Sequence, residues 1–520
     1  MKGYIKNSFI LTFAAAALVN SGCSAVATQK EEGKTYVATE ESLKQYQVPE
    51  WYQDAKLGYW VHWGLYSVPA YAGDHAAEWY GRWMYAVDDG SGKDWGEGFE
   101  RRGLKTARHH RETYGDPDKF NYTDFIPMWK AEKFNAEEWA DLFTEGGAKF
   151  FTMMAMHHDN YPLWDSKTTS PNSVNSGPHR DFVAEMEKAI RKRGLHFGVS
   201  NHSAWNSRFF EFKHKNGFEG DKSPLYGTKD VDANDEARWW SRTTELVEKY
   251  HPDLVWFDWC WNKYPYTRQT RMNFTSWYYN QANYWGKSTA QSPEVVVAYK
   301  ERGKLPDGSA VLDVERGGMT GIYPYVWMND TSLGIHSWSY AADEIYRSSN
   351  QVVDMLLDII SKNGVLLLNI GPKADGTIPE QAQNSIKSIG KWLAKNGEGV
   401  YATRPWLVFG EGPTQPNQSM GGDEVEYTNN DVRFTRSKDN TALYVHVLGY
   451  NPMLNVKTLS KANIDLSSLK GITNLSTGEK VEYNQTTEGL SMTMPASVDK
   501  EDAAYSFKLT FTGQIPALKK

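Results

Sequence analysis

Polar and titratable residues close a series of short apolar runs along this sequence: His62, His157-His158-Asp159, Asn201-His202, Asp258, Glu315 and Asn369. Carboxylates, imidazoles and amides gathered in one place can move protons, attack an electrophilic carbon or hold hydroxyl groups. Asp258 is the most informative of them. It ends the run Leu254-Val255-Trp256-Phe257-Asp258-Trp259, so a carboxylate leaves an apolar strand between aromatic rings. Burying it is costly without compensating partners. A purely structural reading, a helix N-cap or an ion pair just past the strand, stays open. Glu315 follows Ala310–Leu312 and precedes Arg316-Gly317-Gly318, a flexible loop. Two carboxyl groups held about 5–5.5 Å apart can share a displacement, one attacking and one carrying a proton. Glu315 on such a loop can reach over a ligand held at Asp258; a surface Glu315–Arg316 pair is the alternative. Trp256, two residues before Asp258, shares its side of the strand and can wall a pocket. The adjacent His157 and His158 lack the Cys or His-x-x-x-His spacing of a metal site, and alternate strand residues point apart. No metal and no cofactor are therefore expected.

Positioning these groups requires strands. The apolar runs are Gly58–Trp63, Phe150–Met156, His196–Ser200, Leu254–Trp259, Val295–Tyr299, Ala310–Val314, Gly334–Trp338 and Val365–Ile370. Most are continuous rather than alternating, as in parallel strands covered on both faces. Between them lie amphipathic patterns at Asp181–Gly194, Ala233–Tyr250 and Ile345–Lys362. Eight strands alternating with helices predict an α/β fold, a (β/α)8-like barrel whose active site sits at the carboxyl ends of the strands. After Arg404-Pro405 the helical period disappears. Short runs such as Val432–Thr435, Ala442–Val447 and Tyr505–Phe511 predict a C-terminal antiparallel β-sandwich.

The boundaries expected are a catalytic barrel over 46–404 and the sandwich over 405–520. A chain of 520 residues suits that division. A net charge of −7 gives no basic footprint, so no nucleic-acid partner is expected. Aromatic residues make up 14%, including 21 Trp, which fits both core packing and surfaces facing the C–H sides of sugars. At the N-terminus, Lys2 and Lys6 precede an apolar stretch from Phe9 to Val19 that is too short to span a membrane, so residues 1–23 read as a signal peptide. Val19-Asn20-Ser21-Gly22-Cys23 resembles a bacterial lipoprotein signal, with Asn20 where an aliphatic residue is usual. Residues 24–45 are expected to be a tether. The localisation expected is export, to the periplasm or as an outer-membrane lipoprotein, with a lipid on Cys23 as the only membrane contact. Cys260 would then be the one remaining cysteine, leaving no disulfide.

Taken together, these segments resemble the α-L-fucosidases of glycoside hydrolase family 29. The resemblance is carried by Lys56-Leu57-Gly58 with His62-Trp63-Gly64-Leu65-Tyr66-Ser67-Val68-Pro69, and by Glu78-Trp79-Tyr80. It continues through His157-His158-Asp159 with Leu163-Trp164-Asp165-Ser166-Lys167, Pro252-Asp253-Leu254-Val255-Trp256-Phe257-Asp258, and Leu366-Leu367-Leu368-Asn369-Ile370-Gly371-Pro372. It implies that Asp258 is the nucleophile of a double displacement and that His62, Glu78, Trp79, His157 and His158 hold the sugar. Asn201, His202, Trp256, Arg316 and Trp338 complete the expected binding set. The implied partner is an oligosaccharide or polysaccharide with terminal α-L-fucose.

Two departures qualify the resemblance. Some relatives carry an acid/base Glu just after the tryptophan matching Trp327, whereas Met328 stands there and cannot donate a proton. Glu315 becomes the acid/base candidate, with Asp330, Asp313 and Glu294 in reserve. Many relatives place tyrosines where this chain has Ser200-Asn201-His202. Asn and His offer more hydrogen-bonding groups, so α-L-galactosides, including 6-sulfated ones in algal galactans, are alternative substrates; these residues holding a neighbouring loop is the other reading. A non-catalytic carbohydrate-binding barrel and a metal-dependent hydrolase are the rival classes. Contacts beyond the first sugar are expected on the loops Asp88–Tyr114 and Phe210–Lys229.

Overall fold

The computed structural model describes residues 33–73, 77–87, 99–232, 234–419 and 421–519. The signal peptide and Cys23 lie outside the described residues. Eight parallel strands close a barrel: β1 (Leu57–Val61), β2 (Phe150–Met156), β3 (His196–Asn201), β4 (Leu254–Phe257), β5 (Val296–Lys300), β6 (Val311–Asp313), β7 (Trp327–Ser332) and β8 (Gly364–Ile370). Closure comes from β8 pairing with β1, Leu366 opposite Leu57 and Ile370 opposite Val61. Trp60, Met154, Trp256, Ala298, Met328 and Leu367 fill the interior. A separate core joins the outer strand faces to the helices, for example Val255 and Phe257 with Leu246 and Phe274. On β4, Leu254 and Trp256 thus point in, and Val255 and Phe257 out, the period of two expected of a strand.

The helices start where side chains cap them. Asp181 accepts from the backbone of Ala184 at 2.9 Å to open Phe182–Lys192, and Ser348 forms a capping box with Gln351 at the head of Ser349–Ser361. Among the described residues, no helix is long and apolar enough to cross a membrane.

The expected seventh strand is misplaced. Gly334–Trp338 forms only an isolated bridge from Gly334 to Tyr346, and the strand is Trp327–Ser332, a run of mostly polar residues. Its burial is made tolerable by hydrogen bonding rather than apolarity. Asn329 donates to the carbonyl of Gly317 at 2.6 Å, and Trp327 to that of Lys362 at 2.9 Å.

The end of the expected tether is also docked. Tyr36 is buried, its ring edge-on to Tyr279 at 5.4 Å, and its amide donates to Asn280 of the helix Arg268–Tyr284. Leu43 and Tyr46 are buried as well. Their apolar area outweighs the polar composition of the segment.

Beyond the barrel, β9 (Arg404–Glu411), β10 (Val432–Arg436), β11 (Ala442–Val447), β12 (Met453–Val456), β13 (Leu469–Asn474), β14 (Tyr483–Gln485), β15 (Leu490–Thr493) and β16 (Tyr505–Phe511) form two antiparallel sheets. Their orders are β13-β16-β11-β10-β9 and β12-β15-β14. They enclose their own core around Phe434, Val445, Leu490 and Leu509.

Candidate active site

A pocket with about 340 Å³ of free space, its mouth included, opens at the carboxyl ends of the barrel strands. Its lining of carboxylates, imidazoles and tryptophans suits a small polar ligand with an apolar face. Asp258, the inward position after Trp256 on β4, lies in its wall and is buried. Its Oδ1 stands 3.2 Å from the Lys300 ammonium, and its Oδ2 stands 3.3 Å from His158 Nε2 and 3.8 Å from His202 Nδ1. Burial pushes the carboxyl up, but Lys300 and the His158 hydrogen bond outweigh burial and hold it well below the usual carboxylate range. It is therefore ionised at neutral pH.

Lys300 ends β5 as Asp258 follows β4, and it organises the site. Besides Asp258 it contacts Glu315 Oε2 at 2.6 Å and Asp330 Oδ2 at 3.3 Å. Burial alone would lower this ammonium, yet Asp330, Glu315 and Asp258 hold it well above its ordinary value. End to end, the 3.2 and 2.6 Å contacts cap the separation of the contacting oxygens of Asp258 and Glu315 at about 5.8 Å. Retaining glycosidases hold their two carboxyl groups about 5–5.5 Å apart.

The reserve acids separate cleanly. Asp330, inward on β7, lines the pocket, and burial raises it to about 6. Asp313 sits deeper, accepting from Trp256 Nε1 at 3.0 Å, and burial raises it well above a normal carboxyl. Glu294 precedes β5, at the opposite end of the barrel. Met328 points into the apolar interior.

The imidazoles arrive from three strands. After β1, His62 hydrogen-bonds through Nδ1 to Asn369 Oδ1 at 2.7 Å. The Asn369 amide is oriented by donating to the Trp338 carbonyl at 2.5 Å, so the oxygen must face His62. His62 therefore carries its hydrogen on Nδ1 and leaves Nε2 as an acceptor, and burial keeps the ring neutral by lowering it to about 3. A register shift between Met154 and Met156 lies just before His157 and His158, and the two residues follow the end of β2. Both thus line the pocket, although strand alternation would have sent them apart. His158 Nδ1 donates to the His202 carbonyl at 2.9 Å, aiming its other nitrogen at Asp258. His157 and His202 are held well below the usual imidazole range by burial.

Glu78 accepts from Ser337 Oγ at 2.8 Å and from the Ser339 amide at 3.3 Å, and burial raises it. Trp79 and Trp338 complete the expected lining. Two expected members stand elsewhere. Asn201 donates to Thr243 at 2.8 Å and accepts from the Ser203 amide, holding the loop after β3, while its neighbour His202 faces the pocket. Arg316 lies behind the wall, stacked on the Trp338 ring at 4.8 Å and donating to the Ile335 carbonyl.

Lys300, Trp60 and Trp259 line the pocket without having been singled out in the sequence. Lys300 follows the run Val295–Tyr299 as Asp258 follows its own strand, so the same signal marks both. Sequence spacing also missed that His62, His157 and His202, on three strand ends, bring ring nitrogens within 4.8 Å of one another; His158, Asp258 and Cys260 form a second such group. Either set has donors suited to a divalent ion, and the first has the neutral imidazoles that equally hold hydroxyl groups.

The profile of the family described as Alpha-L-fucosidase matches residues 23–398. An alpha-L-fucosidase of Branchiostoma floridae is 32% identical over 379 residues, 71% of this chain and 76% of that protein. The tissue alpha-L-fucosidase of Rattus norvegicus is 32% identical over 378 residues, 71% of this chain and 73% of its own. A crystal structure of Thermotoga maritima alpha-fucosidase in complex with fucose superposes with a TM-score of 0.70 at 28% identity, covering 91% of this chain and all of that one. Sequence, barrel and relatives agree, and the chain belongs to the α-L-fucosidase family of glycoside hydrolases.

Proposed function

We propose that this chain is a retaining exo-glycosidase that removes terminal α-L-fucosyl residues from glycans, with Asp258 as nucleophile and Glu315 as acid/base. The observation that carries the reading is that both carboxyl groups touch one ammonium, Lys300, in a pocket lined by imidazoles and tryptophans. In the first step an Asp258 oxygen attacks the anomeric carbon while Glu315 gives its proton to the departing glycosidic oxygen. In the second, the Glu315 carboxylate takes a proton from water, which attacks the same carbon and frees Asp258. Hydrogen bonds between the ring hydroxyls and the imidazoles and Glu78 would strengthen as the ring flattens, which turns binding into rate.

The test is turnover of 4-nitrophenyl α-L-fucoside with the product anomer followed by NMR. Asp258→Asn is expected to lose activity at least about a thousandfold, and the first-formed sugar to keep the α configuration. Glu315→Gln is expected to abolish hydrolysis of natural glycosides while sparing much of the activity on activated aryl ones. A β product, or a Glu315→Gln enzyme equally active on both substrates, overturns the assignment.

A second reading, that α-L-galactosides are accepted, is favoured by His202. Both its ring nitrogens are buried, unpartnered and beside the pocket, where a sugar hydroxyl would satisfy them. A fucoside preference above about a hundredfold, about 2.7 kcal/mol, rejects it. Export as a lipoprotein rests on residues 1–23; labelling with a radioactive fatty acid that persists in Cys23→Ser would refute it.

A further inference from the structure

The wall of the pocket does not stop at Asp258. Trp259, the next residue, lines the pocket and packs against Trp205 from the turn after β3, with ring centroids 4.9 Å apart. Both tryptophans are only half-buried, so they form an aromatic ledge continuous with the sugar site. Each carries a cation. The Arg208 guanidinium lies 5.0 Å from the Trp205 ring, and the Lys263 ammonium lies 5.7 Å from the Trp259 ring. Contacts of this kind hold long cationic side chains in place while leaving their N–H donors available.

Neither cation has an anionic partner among the described residues, unlike the charged groups around them. Glu211 serves Arg82 and Lys215, Asp235 serves Arg238, and Asp258 serves Lys300. Two uncompensated positive charges beside a catalytic mouth, on a chain whose net charge is −7, are a local feature rather than a general excess. The ledge begins at the residue after Asp258 and continues the rim of the pocket, so a glycan that emerges from the pocket can reach it.

We infer that Trp259, Trp205, Arg208 and Lys263 form a subsite for a sugar of the glycan beyond the released residue, and that this sugar carries an anionic group, a sulfate ester or a carboxylate. The tryptophans take its C–H face and the cations its charge. The inference rests on Asp258 marking the position of the released sugar.

The experiment compares kcat/KM of wild type and an Arg208→Gln/Lys263→Gln variant on one fucosylated oligosaccharide in sulfated, uronate-bearing and neutral forms. Neither side chain takes part in another hydrogen bond among the described residues, so the variant should fold. Wild type should prefer an anionic form about tenfold or more. The preference should fall to about twofold in the variant, and also in 0.5 M salt, which screens exposed charges. The two anionic arms tell which group is recognised. Equal wild-type rates on all three forms, or a preference that survives in the variant, overturns the inference. Wild-type turnover of 4-nitrophenyl α-L-fucoside reports the sugar pocket alone. If that is absent, the proposed activity has failed separately, and the ledge is then read from binding of the sulfated against the neutral oligosaccharide.

Discussion

Arg433 and Lys300 are both buried cations surrounded by carboxylates, one at the junction of barrel and sandwich and the other in the pocket. Arg433 reaches from β10 to Asp358 at 2.6 Å, and its remaining donors meet the carbonyls of Val432, Glu411 and Thr414. Lys362 takes the other Asp358 oxygen at 2.8 Å, and Asp431 accepts from the amides and hydroxyls of Thr414 and Thr428. Lys300 instead faces three carboxylates, with Asp313 beneath them. There Asp330 and Asp313 face each other carboxyl to carboxyl, and both His202 nitrogens are without a hydrogen-bond partner. Around Arg433, Asp358 and Asp431 charges pair and hydrogen bonds are met, which ties the two domains together. The cluster at Lys300 holds excess negative charge and open hydrogen-bonding capacity, the condition for shifted protons and for a ligand that completes the network.

The contrast is broken most directly by Lys300→Met. Without the ammonium, burial is left to act on Asp258, and its carboxyl rises. The acid limb of kcat/KM for 4-nitrophenyl α-L-fucoside should move to higher pH, with a loss at pH 5 of about a thousandfold, about 4 kcal/mol. Lys300→Arg should restore part of it. An unmoved acid limb would mean that Lys300 does not set the charge of Asp258.

Arg433→Met should act on stability instead. Removing one partner leaves Asp358 with Lys362 alone and costs about 3–5 kcal/mol. Denaturant unfolding should show that loss, while kcat/KM of the folded enzyme stays within about twofold. A large fall in kcat/KM at unchanged stability would contradict the division between the two clusters.

Asp354, on the helix that carries Asp358, gives the smallest effect. Burial and then Asp431 raise it to about 8. Its folded value lies above the unfolded one, near 3.9, so the unfolded chain ionises first as pH rises. Stability is therefore lost through this group from about pH 4 up to its folded value. Asp354→Asn should remove that loss, raising stability at pH 7 by at most about 4 kcal/mol with the gain gone by pH 4. A gain of equal size at both values would assign the effect to packing.

Seven of the eight barrel strands were legible because apolar side chains bury both of their faces. β7 was not, because hydrogen bonds to the loop after β6 do there what apolarity does elsewhere. Six pocket residues, His62, His157, His158, His202, Asp258 and Glu315, were found by one signal, a polar group at the end of an apolar run. The misses trace to single residues of register. Asn201 ends its strand turned toward Thr243, whereas His202 faces the pocket, and the shift before His157 brings in two neighbours. Such local offsets depend on pairing between strands far apart in sequence, which composition and spacing do not record.

Lys300 also bears on how the proposed cycle would feel from inside the protein. When Asp258 becomes an ester it gives up a negative charge, and Glu315 gains one as its proton departs. Both groups already touch the same ammonium. The anion thus changes seats across a stationary cation, and the summed charge of the pocket is the same before the bond breaks as in the glycosyl-enzyme. Surrounding dipoles set once, when the chain folds, would serve both halves of the cycle without turning.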